Sequence, residues 1–436
     1  MIIYKFGGTS VGSAQRMKEV ADIVTSDNTS KIVVLSAVSG TTNTLVEIGE
    51  LLLSDKQDIA LKLINSLHQD YLKIVSALYS SEQHRLSGDT IVNEHFDKMR
   101  MFAQIPDFNP GNNKSLLAFG EILSTNLFHQ YLLERQVATT LIPALDFMSI
   151  DEDSEPEIEK IGTRLKPMLS DASIVITQGF ICKNHLGQTD NLKRGGSDYS
   201  ASIIGAAIGA DEIQIWTDID GMHNNDPRVV DNTRPIESLT FDEAAELAYF
   251  GAKILHPTSI LPAQKYGIPV RLKNTMQPAA AGTLIGTETS GSDIKAIAAK
   301  EGITAIKVKS SRMLLAHGFL RNIFEVFNRY KTPIDMITTS EVAVSLTIDD
   351  DQHLERIVED LQVFGHVEVD KQQTIICIVG NMVAQRTGIL SKIFDALSDI
   401  PVRMVSYGGS RHNISLLIES PLKQKTLRIL NDHLFR

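Results

Sequence analysis

The segment Lys5–Ser10, which follows the apolar run Ile2–Tyr4, limits the possible folds of this chain more than any other segment. An apolar run closed by the paired glycines Gly7 and Gly8 is typical of a buried strand that opens into a tight turn. Successive backbone N–H groups in such a turn form an anion-binding concavity, and Lys5 adds a mobile positive charge. A helical pattern follows, so the segment predicts phosphate binding near a helix N-terminus. A structural turn with a solvated lysine explains the same pattern equally well.

A second glycine pair lies in the segment Arg194–Ala201, which precedes the small-residue run Ala201–Ala210. The small residues predict a helix that packs closely on a sheet. Arg194 has a guanidinium group that can bind a carboxylate through two parallel hydrogen bonds. Asp198 falls in the first turn of the predicted helix, where it can order neighbouring cations or hold hydrated Mg²⁺. Ordinary helix capping explains Ser197 and Asp198 if they are taken alone.

The length and the net charge of the chain limit the classes of protein to which it can belong. A chain of 436 residues is expected to form two or three domains. The formal net charge of -11 argues against a general binder of nucleic acid or of anionic membranes. Cys182 and Cys377 lie far apart and are predicted to be free thiols in a reducing compartment. The sequence shows neither a secretory-signal pattern nor a stretch of about 20 apolar residues, so we expect a cytoplasmic enzyme.

Several separated blocks resemble the aspartate kinases, which belong to the amino acid kinase family. The blocks are Lys5–Val11, Ser36–Asn43, Phe119–Glu121, Arg194–Ala201, Thr217–Arg228 and Phe250–Pro257. The sequence departs from the family at two positions, where Lys193 replaces the usual glycine and His223 the usual tyrosine. We expect a local adjustment of the loop at Lys193. At His223 we expect altered nucleotide contacts and pH sensitivity near neutrality.

The resemblance implies an α/β fold, a three-layer αβα sandwich with a mostly parallel sheet. Two C-terminal ferredoxin-like (βαββαβ) ACT domains follow it, and two copies of a β-α-β-β-α pattern support this repeat. The predicted catalytic domain covers residues 1–277, with a helical insertion at about 55–113. A connector covers 278–300, and the ACT-like domains cover 301–370 and 371–436, with strand exchange between the two left open.

The resemblance also implies a reaction, the ATP-dependent phosphorylation of L-aspartate to 4-phospho-L-aspartate. This is a phosphotransfer to a carboxyl acceptor and the first step in the synthesis of lysine, threonine and methionine. The implied cofactors are ATP and the Mg²⁺ that it carries, with no metal site held by the protein itself.

The site residues implied by the resemblance fall into three groups. The catalytic residues are Lys5, Glu121, Arg194 and Asp198. The residues that bind substrate are Ser36, Thr42, Glu121, Arg194 and Ser197. The residues that bind nucleotide are Lys5, Gly7, Gly8, Ser10, Thr217, Asp218, His223, Arg228, Lys253 and Ile254.

Glu121 lies in a predicted long amphipathic helix, Ser115–Arg135. Its composition alone is typical of a solvated helix face. The neighbouring Gly120 costs about 1 kcal/mol relative to alanine in a helix, so it is expected to have a packing or ligand role. The resemblance assigns Glu121 to the amino group of aspartate, and a carboxylate suits an ammonium group. Helix capping remains an equal explanation for Thr42.

The C-terminal third resembles the lysine-sensitive, single-function aspartate kinases. In such an enzyme a small set of residues would surround the inhibitor lysine, with Asp335 taking its charged amino group. The set is Met313, Phe319, Leu320, Asp335 and Ser340. Ordinary core packing explains Met313, Phe319 and Leu320 without any ligand.

Two other functions remain open at this point. One is another amino acid kinase, acting on glutamate, N-acetylglutamate or a nucleotide. The other is a catalytically silent amino acid sensor that uses the ACT-like pair. The resemblance further implies a homodimer formed through the ACT domains, or a tetramer, and no nucleic-acid or membrane partner.

Overall fold

The computed structural model describes residues 1–169, 173–192, 196–251, 255–288, 294–313 and 317–435. The chain divides into two compact units. The N-terminal unit comprises Met1–Met222 and Leu255–Glu288, and the C-terminal unit comprises His223–Ile254 and Thr289–Arg436. In the described part of the chain, no helix is both long enough and apolar enough to span a bilayer.

The strands are numbered along the chain. They are β1 (Ile2–Phe6), β2 (Lys31–Leu35), β3 (Thr140–Leu141), β4 (Ile174–Gln178), β5 (Ile181–Lys183), β6 (Thr189–Asn191), β7 (Glu212–Thr217), β8 (Ser238–Thr240), β9 (Val270–Asn274), β10 (Thr283–Gly286), β11 (Ile294–Lys309), β12 (Ile337–Thr339), β13 (Ala343–Ile348), β14 (His366–Gly380), β15 (Met404–Ser406) and β16 (Asn413–Glu419).

The helices are numbered in the same way. They are α1 (Ala14–Val24), α2 (Thr41–Leu53), α3 (Gln57–Leu78), α4 (Glu82–Phe102), α5 (Pro110–Leu117), α6 (Phe119–Glu134), α7 (Ala144–Phe147), α8 (Ile158–Leu165), α9 (Gly196–Ile208), α10 (Phe241–Tyr249), α11 (Leu261–Tyr266), α12 (Phe319–Arg329), α13 (Leu354–Gln362), α14 (Ile389–Ala396) and α15 (Lys423–Leu434).

The N-terminal unit is built on a mostly parallel sheet. Within this unit its strands run in the order β3–β4–β2–β1–β7–β9–β10, with β1 parallel to both β2 and β7. Strands β2 and β4 are buried along their whole length. Near-continuous apolar runs are typical of parallel strands covered on both faces, so the predicted α/β class is confirmed.

The two faces of β1 pack against different helices because side chains alternate along a strand. Tyr4 and Phe6 join a large hydrophobic cluster with residues of α1, α3, α4 and α6. The other face lies against α9, whose Gly205 approaches the sheet closely. A Cβ atom at Gly205 would lie 2.7 Å from Ile213 Cδ1. The small residues of α9 therefore let the helix pack closely on the sheet, as predicted.

The predicted single helix Ser115–Arg135 is wrong, because the structure has two helices, α5 and α6, separated at Ala118. Helix α5 starts early, at Pro110, where Asn109 forms a capping box with Asn112. The apolar periodicity continues through both helices, so the sequence pattern does not reveal the interruption. Helix α6 then places Gly120 against the β2–α2 loop, where a Cβ atom would lie 2.8 Å from Ala37 Cβ.

The C-terminal unit contains one antiparallel sheet in the order β12–β13–β11–β14–β16–β15. Strand β11 pairs with both β13 and β14, so the two β-α-β-β-α units share a single sheet. Helices α12 and α13 cover one hydrophobic cluster, and α14 and α15 cover another. The predicted ferredoxin-like repeat is confirmed.

The predicted connector 278–300 is not only a linking segment in the structure, and its boundaries stay a prediction. It contains β10, which pairs antiparallel with β9, and the first residues of β11. The alternation of small and apolar residues in these two strands is short and is surrounded by glycine and serine. The sequence pattern therefore does not predict the strands.

The segment His223–Ile254 groups with the C-terminal unit. Asn225 Nδ2 donates to Leu427 O at 3.2 Å, and Val230 packs in the cluster beneath α14 and α15. The catalytic boundary at residue 277 stays a prediction.

Packing between α8 and α9 yields a stability prediction. A Cβ atom at Gly162 would lie 2.5 Å from the backbone oxygen of Ala207, which cannot move without shifting α9. We expect Gly162→Ala to lower the free energy of unfolding by about 1–2 kcal/mol, since overpacking outweighs the gain in helix propensity. Chemical denaturation measures this.

The matched control is Gly286→Ala, because a Cβ atom there meets nothing within 4 Å. Equal stability of the Gly162→Ala and Gly286→Ala proteins would contradict the close approach of α8 to α9.

Candidate functional site

The candidate site lies where β1, β2 and β4 end together. Ser36 N donates to Phe6 O at 3.1 Å, and Gly179 N donates to Leu35 O at 2.9 Å, so each loop begins beside its neighbour. The carboxyl edge of an open parallel sheet is where such folds place ligands.

The glycine turn after β1 is compact and is braced on both sides. Ser10 N donates to Gly7 O at 3.0 Å within the turn, and Ser10 Oγ donates to Trp216 O at 3.5 Å on β7. On the other side a Cβ atom at Gly8 would lie 3.0 Å from Ala37 O. A larger residue at Gly8 would therefore push the β1 turn away from the β2 loop.

Lys5 and Asp198 form the central ion pair of the site. Lys5 Nζ lies 2.7 Å from Asp198 Oδ1, and the two side chains are only 11% and 18% exposed. A Cβ atom at Gly7 would lie 3.4 Å from the same Nζ, so the ammonium group sits directly over the glycine turn. The pair places a positive charge beside the backbone N–H groups that could bind phosphate.

Ser36 and Ser197 link the β2 loop to the first turn of α9. Ser36 Oγ donates to Ser197 Oγ at 2.9 Å. The close fit depends on Gly179, because a Cβ atom there would overlap the Ser197 side chain. Both hydroxyl groups lie near the end of the sheet and can exchange their mutual hydrogen bond for one to a ligand.

Glu121 is buried, with 3% of its surface exposed, so the solvated-face interpretation of this residue is wrong. Its Oε1 accepts a hydrogen bond from Ala37 N at 3.1 Å, whereas its Oε2 is buried and has no partner in the described part of the chain. Burial raises the pKa of Glu121 to about 7, although the Ala37 hydrogen bond acts in the opposite direction. A buried carboxylate with a free oxygen is suited to bind a cationic group.

Other predicted site residues of the N-terminal unit lie at strand or helix ends. Thr42 is half-buried in the first turn of α2, whose N-cap is Gly40 rather than a side chain, so capping does not explain it. Thr217 ends β7 and donates through Oγ1 to Asp218 Oδ1 at 3.0 Å. Thr275 N donates to Thr217 O at 2.8 Å and thereby fixes this strand end.

His223 and Arg228 belong to the C-terminal unit and have partners within it. His223 Nδ1 lies 3.0 Å from Thr233 Oγ1. The Arg228 guanidinium group donates two hydrogen bonds to Asp226, both at 2.9 Å, and they hold the pKa of Asp226 below its usual value. Arg194, Lys253 and Ile254, together with Lys193, lie outside the described residues.

The predicted regulatory residues lie in different environments within the C-terminal unit. Phe319 is buried in the cluster of α12 and α13, and Met313 packs against that cluster. Leu320 is 38% exposed, and Ser340 is exposed at the turn before β13. Asp335 has a side chain only 1% exposed and binds Lys300 and Tyr249.

Known proteins resemble the chain over its full length. The model of the amino acid kinase family matches residues 1–274, and an ACT domain model matches residues 376–434. Lysine-sensitive aspartokinase 3 of Escherichia coli is 33% identical, with 100% of this chain and 99% of that protein covered. The chloroplastic aspartokinase 1 of Arabidopsis thaliana is 35% identical, with 99% and 80% covered.

The chain belongs to the aspartokinases of the amino acid kinase family.

Solved aspartokinase structures agree with the fold. Escherichia coli aspartokinase III in complex with lysine and aspartate, described as the T-state, matches with a TM-score of 0.86 at 32% identity, covering 100% of both chains. The same protein in complex with aspartate and ADP, described as the R-state, matches with a TM-score of 0.80 at 33% identity, again over 100% of both chains.

Two polar residues of this aspartokinase were not predicted from the sequence. Lys300 and Tyr249 contact Asp335 from positions 35 and 86 residues away along the chain. Neither residue lies in a recognisable motif, and only the folded sheet and helix α10 bring them together.

The environment of Glu121 predicts a pH effect on stability. Its pKa is about 7 in the folded protein against 4.5 for an ordinary glutamate, so the folded state keeps a proton that the unfolded state releases. The contribution of Glu121 to stability is therefore complete below pH 4.5 and is lost as pH rises through 7. We expect this loss to reach up to about 3 kcal/mol.

Urea unfolding of the wild type and of Glu121→Gln at pH 5.5 and pH 8 measures this effect. Glu121→Gln should show a smaller fall in stability between the two pH values, because glutamine does not titrate. Glu94→Gln, an exposed substitution on α4, is the control and should keep the wild-type dependence. Identical profiles for the wild type and Glu121→Gln would rule out a buried, proton-holding Glu121.

Proposed function

We propose that this protein is an aspartate kinase that transfers the γ-phosphoryl group of ATP to the side-chain carboxylate of L-aspartate, giving 4-phospho-L-aspartate and ADP. The observation that carries the proposal is the Lys5–Asp198 ion pair over the Gly7–Gly8 turn. The aspartokinase relatives, and the solved complexes of one of them with aspartate and with ADP, support this choice of acceptor and donor.

The transfer needs positioning and charge neutralisation rather than a covalent intermediate. An oxygen of the aspartate side chain attacks the γ-phosphorus in line, a new P–O bond forms, and the bond to the bridging oxygen of ADP breaks. Lys5 and the N–H groups of Gly7 and Gly8 stabilise negative charge on the transferred group. Asp198 holds the Lys5 ammonium in position throughout.

Mg²⁺ would arrive with ATP and neutralise part of the phosphate charge. Asp198, the carboxylate beside the proposed phosphate position, is the residue available to a hydrated ion.

Glu121 is proposed to bind the amino group of aspartate through its unpartnered Oε2. Pairing with an ammonium group favours the ionised carboxylate and offsets the burial that raises its pKa. Ser36, Thr42 and Ser197 offer hydroxyl groups for the remaining polar atoms of the substrate. Arg194 is proposed to bind the α-carboxylate because a guanidinium group fits a carboxylate with two parallel hydrogen bonds.

The nucleotide contacts are proposed from the family blocks. Ser10, Thr217 and Asp218 lie at strand ends of the N-terminal unit, and the remaining members of the set are His223, Arg228, Lys253 and Ile254. Arg228 now holds Asp226 with two hydrogen bonds, so a contact with phosphate requires its guanidinium group to share or exchange that partner.

We further propose that L-lysine inhibits the enzyme at the C-terminal unit through Met313, Phe319, Leu320, Asp335 and Ser340. The lysine-sensitive relative, and its complex with lysine and aspartate, support this proposal. A homodimer formed through the ACT domains is proposed as the assembly, with a tetramer as the alternative.

Lys5→Ala tests the catalytic proposal. Removing a preorganised positive charge from the transferred group is expected to lower kcat by about 10²–10³-fold or more and to weaken ATP binding. Aspartate-dependent release of ADP measures the effect. Lys18→Ala, which removes an exposed ammonium on α1, is the matched control and should retain turnover. Wild-type kcat in Lys5→Ala would remove Lys5 from the mechanism.

The acceptor and the effector are tested in one assay series. Turnover is expected with L-aspartate and not with glutamate or N-acetylglutamate, and it should fall with lysine but not with threonine or methionine. A preference for another acceptor would favour a different amino acid kinase, and no turnover with any acceptor would favour a silent sensor. Light scattering should give a dimer or tetramer, and a monomer with and without lysine would contradict the proposed assembly.

A further inference from the structure

One of the two oxygens of the Asp335 carboxylate accepts hydrogen bonds from the described residues, and the other does not. Its side chain is 1% exposed, and its Oδ1 accepts both Lys300 Nζ at 2.7 Å and the Tyr249 hydroxyl at 2.6 Å. Its Oδ2 is buried and has no hydrogen-bond partner among the residues that the structure describes. A buried carboxylate oxygen without a donor is costly, so this atom marks a position where a donor group is missing.

The net charge around Asp335 is negative, so the site attracts a cation. Lys300 Nζ also lies 2.8 Å from Asp349 Oδ2, so one ammonium group is shared by two carboxylates, which leaves a formal charge of −1. Burial lowers the pKa of Lys300, but the hydrogen bonds to Asp335 and Asp349 raise it overall, and it stays charged. Burial and Asp335 raise the pKa of Tyr249 to about 12, so its hydroxyl remains a neutral donor.

Tyr249 connects this carboxylate to helix α10, which lies within the segment matched by the amino acid kinase model. Lys300 Nζ also lies 4.3 Å from the centroid of the Tyr249 ring. One turn earlier on α10, Glu246 accepts a hydrogen bond from Asn413 on β16. After the helix, Gly251 fits against Ala299 O on β11, where a Cβ atom would overlap that oxygen.

The geometry points to Lys300 and Tyr249 as the residues that make the Asp335 site selective for charge and couple it to helix α10. An amino acid with a side-chain ammonium donates to Asp335 Oδ2. Its ammonium group repels the like charge of Lys300. It also competes with the Tyr249 hydroxyl for hydrogen bonding to the same carboxylate. The Tyr249 contact weakens, and the last turn of α10, two residues before Gly251, is released from Asp335. This inference rests on the proposed inhibition by lysine.

The inference makes opposite predictions for the two residues. Lys300→Met removes the ammonium group of Lys300 and changes the formal charge of the site from −1 to −2. The substitution is therefore expected to tighten lysine binding about tenfold. Tyr249→Phe removes only the hydroxyl group, so the protein should still bind lysine. Turnover at saturating lysine should remain severalfold higher in Tyr249→Phe than in the wild type.

The test combines isothermal titration calorimetry of L-lysine, without substrates, and inhibition of turnover, both on the full chain. Tyr330→Phe is the matched control for Tyr249→Phe, because the Tyr330 hydroxyl also donates to an aspartate, Asp360 at 3.1 Å, elsewhere in the unit. Lys307→Met is the control for Lys300→Met on the same strand. L-norleucine, which lacks the side-chain ammonium, should not bind the wild type at ten times the lysine concentration.

Three results would overturn the inference. Full inhibition of Tyr249→Phe, equal to that of Tyr330→Phe, would show that Tyr249 carries no coupling. Weaker lysine binding by a folded Lys300→Met would show that Lys300 supports the ligand instead of competing with it. Binding of norleucine as tight as that of lysine would remove the charge selectivity, and this comparison needs no variant.

Failure of the proposed function gives a different result. Wild-type protein without aspartate-dependent ADP release would refute the kinase proposal, whereas the calorimetric comparison of lysine with norleucine, and of Lys300→Met with the wild type, would still decide the charge selectivity of Asp335.

Discussion

The ion pair between Lys5 and Asp198 is the interaction on which the proposed catalytic arrangement depends. It joins the end of β1 to the first turn of α9, and it does so where both side chains are largely withdrawn from water. Losing one partner of such a pair leaves an uncompensated charge, which costs several kcal/mol. The pair therefore holds an ammonium group over the glycine turn before any phosphate arrives, so little reorganisation is needed when a ligand binds.

Glu121 and Asp335, the carboxylates of the proposed substrate and lysine sites, share one feature. Each has one oxygen that accepts a hydrogen bond and one buried oxygen that finds no partner among the residues described. Both therefore favour a ligand that brings a cationic donor, and an amino acid carries such a group. The proposed substrate and lysine sites would thus use the same physical principle, in which a ligand ammonium completes a carboxylate that the fold has already desolvated.

Local pattern predicted the strand β1, the helix α9 and the ferredoxin-like repeat, because paired glycines, apolar runs and small-residue runs carry strong local signals. It did not predict the interruption at Ala118, since the apolar periodicity continues through both helices. It also missed Lys300 and Tyr249, whose contacts with Asp335 exist only after β11, β13 and α10 have come together. For Glu121 the residue type favoured the surface, whereas in the fold Gly120 packs closely on Ala37 and the Glu121 side chain is buried beside it.

A structure with a nonhydrolysable ATP analogue and L-aspartate tests the central claim most directly. The account predicts the γ-phosphate within hydrogen-bond distance of Lys5 Nζ and of the Gly7–Gly8 backbone, with the amino group of aspartate on Glu121. Either ligand bound away from these residues, with the Lys5–Asp198 pair undisturbed and facing no ligand, would contradict it.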